Sequence, residues 1–102
     1  MTKEIDLQHN VIFNTVCLTV KEGADFENAY QELVDIAKLA RKEPGCIAFT
    51  PAPGNFEKKE IFLWEIWADK ASLEAHDAQE YVIKHQQQGS FDFNWISSYS
   101  KK

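Results

Sequence analysis

The stretch Ile61-Phe62-Leu63-Trp64-Glu65-Ile66-Trp67 is apolar on both faces of a strand. Alternation sends Ile61, Leu63 and Trp67 one way and Phe62, Trp64 and Ile66 the other. A run from about His9 to Val20 behaves the same way. Val11, Phe13, Thr15, Cys17 and Thr19 oppose Ile12, Asn14, Val16, Leu18 and Val20. An antiparallel sheet with one solvated face alternates apolar with polar, so strands of this kind need cover on both sides. The chain has only 102 residues, enough for one core and one domain spanning residues 1–102.

The remaining elements say how much cover is available. Gly23 breaks the first strand and Asp25 is a plausible helix N-cap. Phe26, Ala29, Tyr30, Leu33, Ile36, Ala37 and Ala40 then recur at helical spacing. Lys38, Arg41 and Lys42 crowd the end of that helix, and Pro44-Gly45 stops it. Cys46–Thr50 reads as a short second strand, and Pro51-Ala52-Pro53-Gly54-Asn55 with Glu57-Lys58-Lys59-Glu60 as a solvated loop. The third strand is Glu60–Trp67. Asp69 caps a second helix that runs on to Gly89 with a kink near His76. A fourth strand, Phe91–Tyr99, places Phe91, Phe93, Trp95 and Tyr99 on one side.

The order β-α-β-β-α-β with right-handed crossovers gives an α+β, ferredoxin-like fold. Its four-stranded antiparallel sheet has both helices on one face. Two helices cover one face only. The other would expose a large apolar patch, and such patches mark partner surfaces. The expectation is a homodimer with two sheets packed face to face.

Charge and cysteines remove several alternatives. Eleven basic against sixteen acidic residues leave a net charge of −5, unfavourable for a phosphate backbone, so no nucleic-acid partner is expected. No apolar run approaches the roughly 20 residues that span a bilayer, and Met1–Asn10 is polar and charged, unlike a signal peptide. A cytoplasmic location follows as the expectation, with no membrane partner. Cys17 and Cys46 lie far apart among apolar residues and read as free thiols. His76 and His85 lack a third ligand at metal spacing, and no glycine-rich loop follows a strand, so neither a metal nor a nucleotide cofactor is expected.

Two segments carry a resemblance. Arg41-Lys42-Glu43-Pro44-Gly45-Cys46-Ile47-Ala48-Phe49 resembles the "s-r-x-E-P-G-C-l-x-y" segment of antibiotic biosynthesis monooxygenase domains. Phe62 to His76 resembles that family's "f-x-l-x-E-x-W-x-d-x-x-a-l-x-x-H". With strand one and the topology, the likeness covers nearly the whole chain. It implies a dimeric α+β barrel with a pocket between sheet and helices in each subunit. It also implies oxygenation of a small aromatic or quinol-like substrate by O2 without metal or flavin, or haem degradation; many members have no assigned activity, and the third reading is a non-catalytic small-ligand-binding or stress-response module that uses the same pocket. The sequence departs from the pattern in places. A second His found in many members is Tyr81 here, the haem branch's pocket Trp falls at His76, and its haem-ligating His falls at Gln86, beside His85.

The candidate catalytic residues are Asn14, His76 and Trp67. Asn14 is either a donor over a substrate oxygen or a satisfied structural amide. His76 is either a general base for a phenol or quinol proton, oriented by Glu80, or a surface histidine paired with that residue. Trp67 is a stacking wall or plain core, with Trp64 on the opposite face. Glu65 reads as a structural carboxylate neutralised by Arg41 or by a lysine of a second subunit. Phe49, Tyr30, Tyr81 and His85 are candidate substrate-binding walls, with helix-core packing as the alternative. The cofactor expectation is none, with haem as the alternative.

Overall fold

The computed structural model describes residues 11–100. The start of the expected first strand, His9 and Asn10, lies outside those residues. The elements are β1 (Ile12–Val20), α1 (Phe26–Ala40), β2 (Cys46–Pro53), β3 (Glu60–Trp67), α2 (Lys70–Asp77), α3 (Glu80–Gln88) and β4 (Phe91–Ser100). The sheet is antiparallel in the order β2-β3-β1-β4, the ferredoxin-like arrangement.

The register explains the two-faced strands. Leu18 pairs with Ile61, Val16 with Leu63 and Ile12 with Trp67, and these side chains share the helix-covered face. Val16, Leu18, Val20, Ile61, Leu63 and Trp67 there join Ala29, Leu33, Ala37 and Ala40 of α1 in one core. Burial of this apolar surface is the main force holding the domain together. On the opposite face lie Phe13, Phe62, Trp64 and Ile66. Trp64 is 55% exposed, whereas Trp67 is fully buried.

Local chemistry sets the helix ends. Asp25 accepts from Asn28 N at 3.0 Å and Asp69 from Ser72 N at 2.8 Å, as N-caps do. Gly45 adopts φ +85°, a left-handed conformation suited to glycine, where Pro44-Gly45 turns the chain out of α1. A Cβ on Gly45 would overlap Ser72 Oγ and stand 2.5 Å from Ser72 Cβ. Gly45 O accepts from Ala68 N at 2.8 Å. The turn after α1 is thus clamped to the start of α2.

Three features differ from the sequence expectation. β2 continues through Pro51 and Pro53, because β2 is an edge strand and an edge tolerates a missing N–H. The kink near His76 is a complete break: α2 ends at Asp77, and α3 begins at Glu80 with Gln79 in extended conformation. The β4 aromatics do not share a side. A bulge leaves Asn94 unpaired, since Cys17 faces Trp95 while Leu18 faces Phe93. Phe91 and Phe93 therefore lie on the helix face, and Trp95 and Tyr99 on the open face with Cys17 and Phe13.

Candidate active site

The helices leave a cavity of about 160 Å³ against the sheet. Leu18, Leu33, Leu63 and Val82 form its aliphatic walls, and Phe49, Phe91 and Phe93 its aromatic ones. Its titratable groups are Glu65, His76, Asp77 and His85. An engineered cavity of about 150 Å³ admits benzene, so this space suits one aromatic ring.

His76 is the best-defined polar group in the site. It is 5% exposed, and its Nδ1 stands 2.9 Å from Glu43 Oε2. The Tyr81 hydroxyl donates to the same carboxylate oxygen. A carboxylate only accepts, so Nδ1 carries the hydrogen in this contact, and in the neutral imidazole that tautomer makes Nε2 the acceptor. Aromatic rings fix the imidazole plane: Trp67 lies 4.6 Å away between centroids, Phe49 5.4 Å and Tyr81 6.2 Å. Glu43, from the turn after α1, replaces the Glu80 expected to orient this histidine. Glu43 lies within the sequence segment that carries the family likeness, but 33 residues from its partner. The pairing appears only once Gly45 clamps that turn onto α2.

Glu65 is held by its own strand. Trp67 Nε1 donates to its Oε1 at 2.8 Å, a contact that replaces the expected Arg41 or lysine partner. Burial pushes the Glu65 carboxyl above the usual carboxylate range, while the Trp67 N–H, nearby His76 and the Asn14 side chain oppose that shift. Asp77, exposed at the cavity mouth, is likewise pushed up, first by burial. Burial lowers His85, with Glu32 acting in the opposite direction, and favours the neutral imidazole. Burial and the Glu43 hydrogen bond raise Tyr81, which keeps it a phenol.

The structure gathers some of the expected residues and leaves others aside. Phe49, His76 and His85 line the cavity. Trp67 sits behind His76, fully buried and away from the lining. Asn14 pairs across the ladder with Glu65 and accepts from Ser98 Oγ at 2.6 Å, also off the lining. Tyr81 lines a shallower groove between α1 and α3. Tyr30 donates to Pro51 O at 3.3 Å and packs against the core. Sequence reasoning missed Glu43 and Asp77. The motif glutamate was a signal for the first, but Asp77 reads from sequence only as a helix-end acid.

The enclosed space, about 160 Å³, is matched to one aromatic ring and is smaller than a porphyrin macrocycle. Among the described residues no group of three or more His, Cys, Asp or Glu could hold a metal ion. No helix among them is long and apolar enough to cross a membrane.

A ferredoxin-like sheet with a histidine- and carboxylate-lined cavity under its helices defines a small α+β domain. The sequence profile described as antibiotic biosynthesis monooxygenase matches residues 12–88, and the chain belongs to that family. The uncharacterized protein YjcS of Bacillus subtilis (strain 168) is 28% identical over 82 residues, covering 80% of this chain and 78% of that protein. A solved structure of a protein YjcS superposes with a TM-score of 0.81 at 25% identity, covering 90% of this chain and 99% of the other. SnoaB of Streptomyces nogalater, a cofactor-independent oxygenase solved as a mutant, superposes with a TM-score of 0.71 at 11% identity, covering 91% and 94%. At that identity the likeness to SnoaB is one of fold.

Proposed function

We propose that the protein is a cofactor-independent monooxygenase that oxidises a small aromatic, quinol-like substrate with O2. The observation that carries this reading is His76. It is buried, held by Glu43 through Nδ1, and lines a cavity sized for one ring. In this reading Nε2 takes a phenolic proton from the substrate. The resulting anion is electron-rich enough to pass an electron to O2 and then form a C–O bond. For a quinol the balance is one quinol and one O2 giving a hydroxylated quinone and one water. All four electrons come from the substrate, so no other reductant is needed. Family membership and the cofactor-independent activity of SnoaB support the oxygenase class.

The chain's residues divide the work. His76 is the base. Phe49 and His85 hold the ring. Trp67 and Asn14 act as positioning residues, Trp67 by fixing the His76 ring and the Glu65 carboxylate, Asn14 from across the ladder at Glu65. Tyr81 steadies Glu43. Tyr30 supports the wall through β2. The working unit in this reading is a homodimer joined by the open sheet face, acting in the cytoplasm, where Cys17 and Cys46 remain thiols.

The test is O2 consumption across a panel of single-ring quinols with a chelator present. Uptake that depends on quinol and is lost in His76→Ala supports the reading. No uptake across the panel, or unchanged turnover in His76→Ala, overturns it. Haemin added to the protein should leave the Soret band where free haemin has it.

A further inference from the structure

The helix face of the sheet carries a polar row between two apolar ones. The pair Val16 and Leu63 lies on one side of it, and the pair Ile12 and Trp67 on the other. The row itself runs Phe49, Glu65, Asn14 and Ser98 across the four strands. Ser98 Oγ donates to Asn14 Oδ1 at 2.6 Å, which leaves the Asn14 amide nitrogen for its ladder partner Glu65. Trp67 Nε1 donates to Glu65 Oε1 at 2.8 Å. Two neutral groups thus hold one carboxyl in the wall of the cavity that His76 also lines.

The fold gains nothing from a charge there. A carboxylate withdrawn from water is costly unless a cation meets it, and among the described residues no lysine or arginine lines the cavity. The amide oxygen of a glutamine could accept from Trp67 Nε1 in the same way. An acid held by neutral donors in a ligand-sized cavity is suited to proton chemistry. Burial raises Glu65, and a raised carboxylate is a stronger base than a free one.

The proposed oxygenation moves two kinds of proton. His76 takes the first from a phenolic oxygen. O2 then bonds to a ring carbon, and the His76 proton passes to the peroxide. That carbon is now tetrahedral and still bears its hydrogen. The hydroxylated quinone forms only when this C–H bond breaks. We propose that Glu65 is a second catalytic base, which removes that hydrogen from the oxygenated carbon. The C–H electron pair becomes the second bond of the new C=O, the O–O bond breaks, and its electron pair leaves with hydroxide. The proton on Glu65 passes to the hydroxide, which gives water and restores the carboxylate. No further oxidant or reductant enters. The step rests on the oxygenase reading and divides its proton transfers, O–H to His76 and C–H to Glu65.

The test is product analysis with hydroquinone in the parent and in Glu65→Gln, which keeps an acceptor for Trp67 Nε1, with protein-free oxidation subtracted. The parent should turn each O2 into hydroxylated quinone and water. In the variant the hydroperoxide lacks its base and expels hydrogen peroxide instead. The C–O bond to the peroxide breaks, the remaining phenolic proton leaves with it, and the plain quinone results. The ratio of hydroxylated quinone to hydrogen peroxide should fall by about a hundredfold, the lower end of what a positioned base supplies. Ring-deuterated hydroquinone should lower the variant's ratio further, because C–H cleavage then decides between the products. A Glu65 that serves only packing would leave the ratio blind to deuterium. An unchanged ratio in Glu65→Gln, no deuterium effect on it, or complete loss of O2 uptake in the variant, which would place Glu65 before oxygen addition, overturns the inference and spares the oxygenase. No quinol-dependent uptake in the parent overturns the oxygenase reading and this step with it.

Discussion

At the scale of single residues the site depends on buried groups that satisfy one another. Glu43 accepts from both His76 and Tyr81, so Glu43→Ala strands two buried donors. The expected cost is about 1–3 kcal/mol in urea unfolding, together with loss of O2 uptake, because nothing then fixes the His76 tautomer. Glu65 behaves in the opposite sense. Its folded pKa is raised above the ordinary 4.5, so the folded state resists its ionisation and stability is lost as pH rises past 4.5 toward the raised value. Glu65→Gln keeps an acceptor for Trp67 Nε1 and removes that cost. Thermal melts should show the variant more stable than the parent at pH 8, with the gap closing as pH falls toward 4.5. A constant gap across that range would mean that the effect is packing, not charge. Gly45→Ala should be among the worst single changes, since it combines a left-handed backbone with overlap against Ser72. The backbone strain alone is about 1–3 kcal/mol.

At the scale of elements, much of the fold is legible because local chemistry and global need agree. Phe26–Ala40 is a helix by periodicity, by its Asp25 cap and by its Pro44-Gly45 stop, and the structure keeps all three. β3 keeps the two faces that Ile61 to Trp67 dictate. The misses occur where a long-range partner overrules the local signal. Pro51 and Pro53 read as loop residues until β2 is known to be an edge. Asn94 reads as one more strand residue until β1 sets the register and forces a bulge, which turns Trp95 away from Phe93. The same applies to the site. His76 and Phe49 are visible as candidates, but the Glu43–His76 contact needs the clamped turn, and the burial of Trp67 needs α2 in place. The break between α2 and α3 offers a direct test. Gln79 holds the N-cap position of α3 without a side-chain cap bond. Gln79→Asp supplies an acceptor for the free N–H groups of the first turn and a charge matched to the helix dipole. Urea unfolding should show a gain of about 0.5–1 kcal/mol.

At the scale of the whole molecule, the open sheet face decides what the functional unit is. All the helices lie across the other face, so Trp64, Trp95 and Tyr99 are left 55%, 46% and 41% exposed. Phe62 stacks 6.0 Å from Trp95 and Phe13 lies 5.9 Å from Tyr99, which makes a continuous aromatic surface. An apolar surface of this kind is costly in water and marks a partner surface, and a two-fold axis would set two such faces against each other. A standard interface buries about 800 Å² per partner, and a four-stranded sheet face supplies an area of that order. Two copies meeting there would cover the second face of β1 and β3, the condition that Ile61–Trp67 imposes at the outset. Sedimentation equilibrium at micromolar concentration should therefore report twice the chain mass of 11.8 kDa. Trp64→Glu places a charge in the middle of that surface while leaving the helix-side core untouched. It should sediment as 11.8 kDa with an unchanged far-ultraviolet circular dichroism spectrum. A parent protein at the single-chain mass, or a Trp64→Glu variant that keeps the doubled mass, would show that something else covers this face.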